Sequence, residues 1–207
     1  MYRVVLSLTI AVLLFSASSA QENTPKKDWP QWRGPNRDAV CTETGLLQKW
    51  PKDGPTLLWS AREVNGKDKL GNGMSSVVFA GGRIYTLGDR DGAGNVICLD
   101  EATGKVLWVT PISPPNGGDG PGGARCTPTV DGNRLYALSP HGILACVDTQ
   151  KGNLLWKKDY KKDFGGHMMS GWNYSESPLV DGDKLICTPG GKDAAMIALD
   201  KTTGDVI

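Results

Sequence analysis

Three observations predict an all-β fold, a β-propeller of four-stranded antiparallel blades. One short pattern occurs three times, as "CLDEATGKVLW" (Cys98 to Trp108), "CVDTQKGNLLW" (Cys146 to Trp156) and "ALDKTTGDVI" (Ala198 to Ile207). Its aspartates, Asp100, Asp148 and Asp200, stand 48 and 52 residues apart, which is the spacing of a repeat architecture with one supersecondary unit per copy. Each copy follows a second shared piece: "VFAGGRIYTL" from Val78, "TVDGNRLYAL" from Thr129 and "LVDGDKLICT" from Leu179. Short apolar runs joined by tight turns make a meander that cannot bury its own faces. Neighbouring sheets must therefore stack around an axis.

The elements follow in chain order. Residues 1–20 read as a secretory signal peptide. Arg3 supplies the positive start, Val4 to Phe15 is apolar apart from Ser7 and Thr9, and Ser18-Ser19-Ala20 offers small residues for cleavage. The run is too short for a spanning helix and no later stretch is apolar enough. The mature chain is thus expected to be exported, periplasmic or extracellular, and not membrane-spanning. Losing Arg3 leaves 22 basic residues against 22 acidic ones. A chain without net charge has no electrostatic basis for binding nucleic acid or an anionic membrane surface. The densest basic stretch, Lys157 to Asp163, has aspartates interleaved and reads as a solvated loop.

Residues 21–54 read as a leader or strap, and residues 55–207 as the repeats. "PTLLWS" (Pro55 to Ser60) reads as a lone fourth strand, because Trp59 stands 49 residues before Trp108. In each later period the Asp-Gly pairs and the Asp-x-x-x-Gly segments are hairpin turns. The runs between them alternate little, so both faces are expected to be buried. Gly104 precedes Trp108 by four residues and Gly152 precedes Trp156 by four; after Gly204 the Trp falls due one position past Ile207. The expected object is an incomplete ring of about three blades plus one orphan strand, a fragment whose last strand is cut. Trp59, Trp108 and Trp156, with the motif aspartates and Gly104, Gly152 and Gly204, are the expected blade-docking residues. Cys98 and Cys146 occupy the small position of the motif and read as buried fillers rather than a bonded pair. Cys187 aligns with Ala137 and reads the same way, while Cys41 and Cys126 are unassigned.

The small-x-Asp-x-x-Thr-Gly-x-x-x-Trp pattern resembles the PQQ-like repeat, kept in "CLDEATGKVLW", altered at Lys151 in "CVDTQKGNLLW" and cut short in "ALDKTTGDVI". That family includes quinoprotein alcohol dehydrogenases and the periplasmic scaffold lipoprotein of outer-membrane-protein assembly. "DWPQWRGPNRDAV" (Asp28 to Val40) looks like the leader of exported repeat proteins of planctomycete-type bacteria. The resemblance implies a propeller whose Trp docks each blade on its neighbour. Function is not implied by fold alone. The quinone enzymes typically carry an adjacent cysteine pair, which this stretch lacks, and the scaffold carries a lipid-anchored cysteine where this chain has Gln21.

Strand order sorts the loops onto two faces. The Asp-Gly and Asp-x-x-x-Gly turns share one face; the second-to-third-strand hairpins and the blade connectors share the other, here termed the connector face. Loops on a rigid scaffold tend to carry function. "HMMSGWNYSES" supplies His167, Trp172, Asn173, Tyr174 and Glu176 where a connector enters the channel; Arg125 and His141 lie in neighbouring loops. A sugar- or quinone-like ligand stacked on Trp172 and oriented by Glu176 and Asn173 is one expectation. Packing of Trp172 and Tyr174 between blades, with Glu176 capping a turn, is the other. Two histidines without a third ligand do not make a metal site, so no metal is expected. "DRDGAGN" (Asp89 to Asn95) reads as a Gly-rich hairpin, and "SPPNGGDGPGGAR" (Ser113 to Arg125) as a flexible connector. The expected function is a non-catalytic envelope scaffold with a protein or cell-envelope partner and no cofactor. The alternative is an oxidoreductase that uses pyrroloquinoline quinone with calcium.

Overall fold

The computed structural model describes residues 28–61, 70–116, 122–168 and 171–207. The signal-peptide reading at residues 1–20 lies outside them. Two four-stranded antiparallel sheets and a three-stranded one follow each other along the chain. The first blade is β1 (Val78–Ala80), β2 (Arg83–Arg90), β3 (Ala93–Asp100) and β4 (Val106–Ser113); the second is β5 (Thr129–Asp131), β6 (Arg134–Leu138), β7 (Ile143–Asp148) and β8 (Leu154–Asp159). The helix α1 (Tyr160–Phe164) follows, and then β9 (Leu179–Asp181), β10 (Lys184–Cys187) and β11 (Ile197–Asp200). Beyond β11 the chain turns back: Val206 bridges to Leu199, and the Ile207 amide donates to the Ala198 carbonyl at 2.9 Å. The fold is therefore all-β, with meander blades in the order predicted.

The repeat is a repeat of contacts. In each motif the aspartate carboxylate accepts backbone amides of its own turn: Thr103 at 2.8 Å, Gln150 and Lys151 at 3.0 and 2.7 Å, Thr202 and Thr203 at 2.7 and 2.9 Å. These bonds favour the ionised form and hold Asp100 and Asp200 below the usual carboxylate range, most strongly through the Thr103 side chain and the Thr203 amide respectively. The glycine four residues on is the seat of a tryptophan from earlier in the chain, for the second and third motifs from the preceding blade. Trp59 lies on Gly104, Trp108 on Gly152 and Trp156 on Gly204. The indole of Trp59 donates to the Glu101 carbonyl at 2.9 Å, and that of Trp108 donates to the Thr149 carbonyl at 3.2 Å. Each acceptor directly follows the motif aspartate.

A second-strand tyrosine reinforces the Trp108 and Trp156 latches. Tyr85 and Trp108 flank Cys98 in register, as Tyr136 and Trp156 flank Cys146. The ring pairs sit 5.9 and 6.0 Å apart. Tyr136 donates to the Lys201 carbonyl at 2.9 Å, and the Trp156 indole N–H is buried without a hydrogen-bond partner. Cys98, Cys126, Cys146 and Cys187 are buried free thiols and Cys41 is an exposed one.

Three expectations need correction. Pro55 to Ser60 is not a strand: Trp59 lies on Gly104, but Leu57 and Leu58 are exposed and the stretch is irregular. Lys157 to Asp163 is not a loop. Its first half completes β8 and its second half is α1, capped by the Asp159 carboxylate accepting the Lys161 and Lys162 amides, because Tyr160 is anchored in the core. The outer strands are not buried on both faces: β4 alternates, with Leu107 and Val109 exposed, and no residue of β8 is buried, with Leu154 and Leu155 exposed. The Asp89 to Asn95 stretch is a hairpin, as read, with a two-residue loop, since β2 and β3 pair as far as Arg90 and Ala93.

Candidate functional site

The short first strands β1, β5 and β9 are neighbours along the inside of the blades. Being short, they leave backbone groups unpaired at their inner edge, and the leader takes these up. Trp29 exchanges backbone hydrogen bonds with Phe79 of β1 at 2.8 and 3.1 Å. The Val130 amide of β5 donates to the Pro30 carbonyl at 2.7 Å, and Arg37 Nη2 donates to the Val180 carbonyl of β9 at 2.6 Å. Three blades are thus tied by one thirteen-residue stretch, Asp28 to Val40. A tight turn folds the Trp29 ring over Gly34.

Between this strap and the connectors lies a cavity of about 600 Å³. The leader contributes Gln31, Trp32, Arg33 and Arg37. The three connectors contribute Met74 and Ser76, Arg125 and Thr127, and Ser175 to Pro178. Two of the residues singled out in the sequence, Arg125 and Glu176, reach this cavity. The Glu176 carboxylate accepts the Tyr160 hydroxyl at 2.8 Å and the Thr188 amide at 3.0 Å. Burial outweighs these bonds and raises its pKa. Burial likewise raises the pKa of Tyr160, and pushes the Cys126 and Cys187 thiols up to about 12.

The other candidates lie around it. Tyr174 is buried against Tyr160, edge to face at 5.3 Å, and donates to the Pro189 carbonyl at 2.9 Å. Trp172 is 61% exposed on the connector face, with the Arg125 guanidinium 5.2 Å from its ring centre. Asn173 adopts φ 63° and donates to the Asn116 side chain at 3.1 Å, joining the second and third connectors. His141 Nε2 lies 3.2 Å from the Pro115 carbonyl, while exposed His167 uses its backbone amide on the Pro189 carbonyl. Among the described residues no three His, Cys, Asp or Glu side chains gather as a metal site, and no helix is long and apolar enough to cross a membrane. Part of the long connector, residues 117–121, lies outside the described residues; its flanks are packed, with Asn116 buried and Gly123 against Asn72. Sequence reasoning missed Trp32, Arg33 and Arg37. The only signal was their density in an otherwise polar leader.

Comparison with known proteins adds the family. The sequence profile described as outer membrane protein assembly factor BamB matches residues 47–207. The outer membrane protein assembly factor BamB of Burkholderia pseudomallei is 25% identical over 177 residues, 82% of this chain and 38% of that protein. That of Shewanella oneidensis is 26% identical over 124 residues, 58% of this chain and 30% of that protein. The chain thus spans about a third of the length of these relatives. In fold it is similar to the quinohemoprotein alcohol dehydrogenase of Comamonas testosteroni, with a TM-score of 0.58 at 16% identity over 87% of this chain and 26% of that one. The matched segment takes in all three blades, with Trp59 and the Trp-on-Gly latches that order them, and by that match the chain belongs to the PQQ-repeat family described as outer membrane protein assembly factor BamB.

Proposed function

We propose that the chain is an exported, non-catalytic propeller module that presents its connector face to a protein partner of the cell envelope. The observation that carries this reading is the Trp172–Arg125 pair, a largely exposed indole stacked by a guanidinium on a scaffold that fixes both. Tryptophan and arginine are the residue types most enriched among interface anchors, and the family supports assembly with other proteins. Residues 1–20 support export, with 21–54 as the strap and 55–207 as the repeat body. The test is a photo-crosslinking amino acid at position 172 in cells that make the protein, with Lys151 on the turn face as control. A discrete adduct with one envelope protein at 172 and none at 151 is expected. Equal adducts at both positions, or none, refute the docking face.

We also propose that pyrroloquinoline quinone with calcium is not held here. The donor set does not fit. The cavity has one carboxylate, Glu176, already engaged by Tyr160 and Thr188, whereas calcium takes about 6–8 oxygen ligands. Titration with quinone and calcium, followed by absorbance, is expected to show no binding; stoichiometric micromolar binding would put the oxidoreductase reading first.

A further inference from the structure

The cavity beneath the docking face has a recognition chemistry of its own. We propose that it binds a small acidic saccharide, a pyranose unit bearing a carboxylate.

Three features point to this class. Charge comes first. Arg33, Arg37 and Arg125 line the cavity against one carboxylate, Glu176. That carboxylate faces Tyr160 and the Thr188 amide with its oxygens, so it leaves the cavity with an excess of guanidinium. Arg37 is held in place by Val180 and by Gln31, at 2.6 and 3.2 Å. Those bonds engage two of about five N–H donors, which leaves donors for an anion from a side chain whose entropy is already spent. A planar guanidinium matches a carboxylate in two parallel hydrogen bonds.

Shape comes second. About 600 Å³ lies within the usual range of roughly 300–1,000 Å³ for small-molecule sites, and is too small for a folded domain. The third feature is the wall. One aromatic ring, Trp32, contributes a side chain that is 55% exposed, and hydroxyl side chains fill much of the rest. Ser177 Oγ accepts the Thr127 amide at 3.1 Å, which leaves its own proton to donate. A single apolar face opposed by hydroxyls suits a sugar ring, which has C–H groups on one side and hydroxyls at its edge. A flat aromatic ligand would require a second stacking surface.

The site goes beyond the docking reading and shares only Arg125 with the pair that carries it: Trp172 is not among the residues that line the cavity. Calorimetric titration of the full chain with glucuronic acid, glucose and acetate tests it. Glucuronate is expected to bind at least about tenfold more tightly than glucose or acetate, and to weaken as salt rises from about 50 to about 300 mM. Arg33→Gln and Trp32→Ala are each expected to weaken it at least about fivefold, with the circular dichroism unchanged because both side chains are exposed. No heat with glucuronate at millimolar concentration refutes the proposal. So does acetate binding as tightly as glucuronate, which would make the site a bare anion site, and so does unchanged affinity in both variants. None of these results bears on crosslinking at position 172.

Discussion

At the scale of single residues, Gly152 shows how a loop position becomes a packing position. Its φ is +75°, and a Cβ placed there would come within 2.6 Å of the Trp108 ring. Gly132 has a similar φ of +58° but open space around it. Gly132→Ala is expected to cost only the left-handed backbone penalty, about 1–2 kcal/mol. Gly152→Ala is expected to add about 1–3 kcal/mol of overpacking. Urea unfolding of both variants separates the two costs; equal losses would mean that Trp108 yields without penalty. Glu176 carries a pH signature. Its pKa is raised by burial, so the folded chain keeps a proton at pH values where the unfolded chain has released it. Stability is then greatest below the ordinary carboxylate value, and falls as pH rises towards the elevated one. The neighbouring Cys126 and Cys187 thiols, pushed up to about 12, stay neutral through that window. Glu176→Gln is expected to flatten this slope, gaining stability relative to the parent as pH rises above the ordinary carboxylate range, read in urea midpoints. A slope unchanged by the substitution would assign it to another group.

At the scale of elements, the leader is the piece whose role is least local. Its described residues form no strand of their own, yet they satisfy backbone or carbonyl groups in β1, β5 and β9. Removing residues 28–40 is expected to strip hydrogen-exchange protection from the Phe79 and Val130 amides, which donate to Trp29 and Pro30. Leu135 and Leu144, paired within the second blade, are expected to keep theirs. Protection retained at Phe79 would show that the strap is an ornament. The strands themselves were legible because turn chemistry and apolar runs act locally. The short helix was not, since it depends on Tyr160 finding Tyr174 and Glu176 from the connector that follows.

At the scale of the whole molecule, the blades communicate through nearest neighbours, by a tryptophan, a tyrosine and a carbonyl at each seam. In such an array stability is close to a sum of unit and interface contributions. Trp156→Phe, which cuts the contact with Gly204, is expected to lower protection at Leu185 and Leu199 in the third blade. The first-blade amides of Ile97 and Leu99 are expected to be unmoved. A uniform loss across all three blades would show global cooperativity instead. Additional seams are formed by Arg83 on the Thr149 and Gln150 carbonyls at 3.1 and 3.0 Å and by Lys201 with Asp131 at 2.6 Å.

The sequence by itself determined the period, the blade meander, the turn positions and the identity of the docking tryptophans. Each of these follows from patterns within about fifty residues, where spacing and turn propensity act directly. Tertiary structure alone decided where the candidate side chains meet. Arg125 and Glu176 come from different connectors and Arg33 and Arg37 from the leader, yet all four line one cavity. Tyr174, from the same run as Trp172, is buried against Tyr160 while Trp172 is exposed. Neither outcome has a local cause. Both depend on the angle at which one blade stacks on the next and on the path of a strap that crosses three of them.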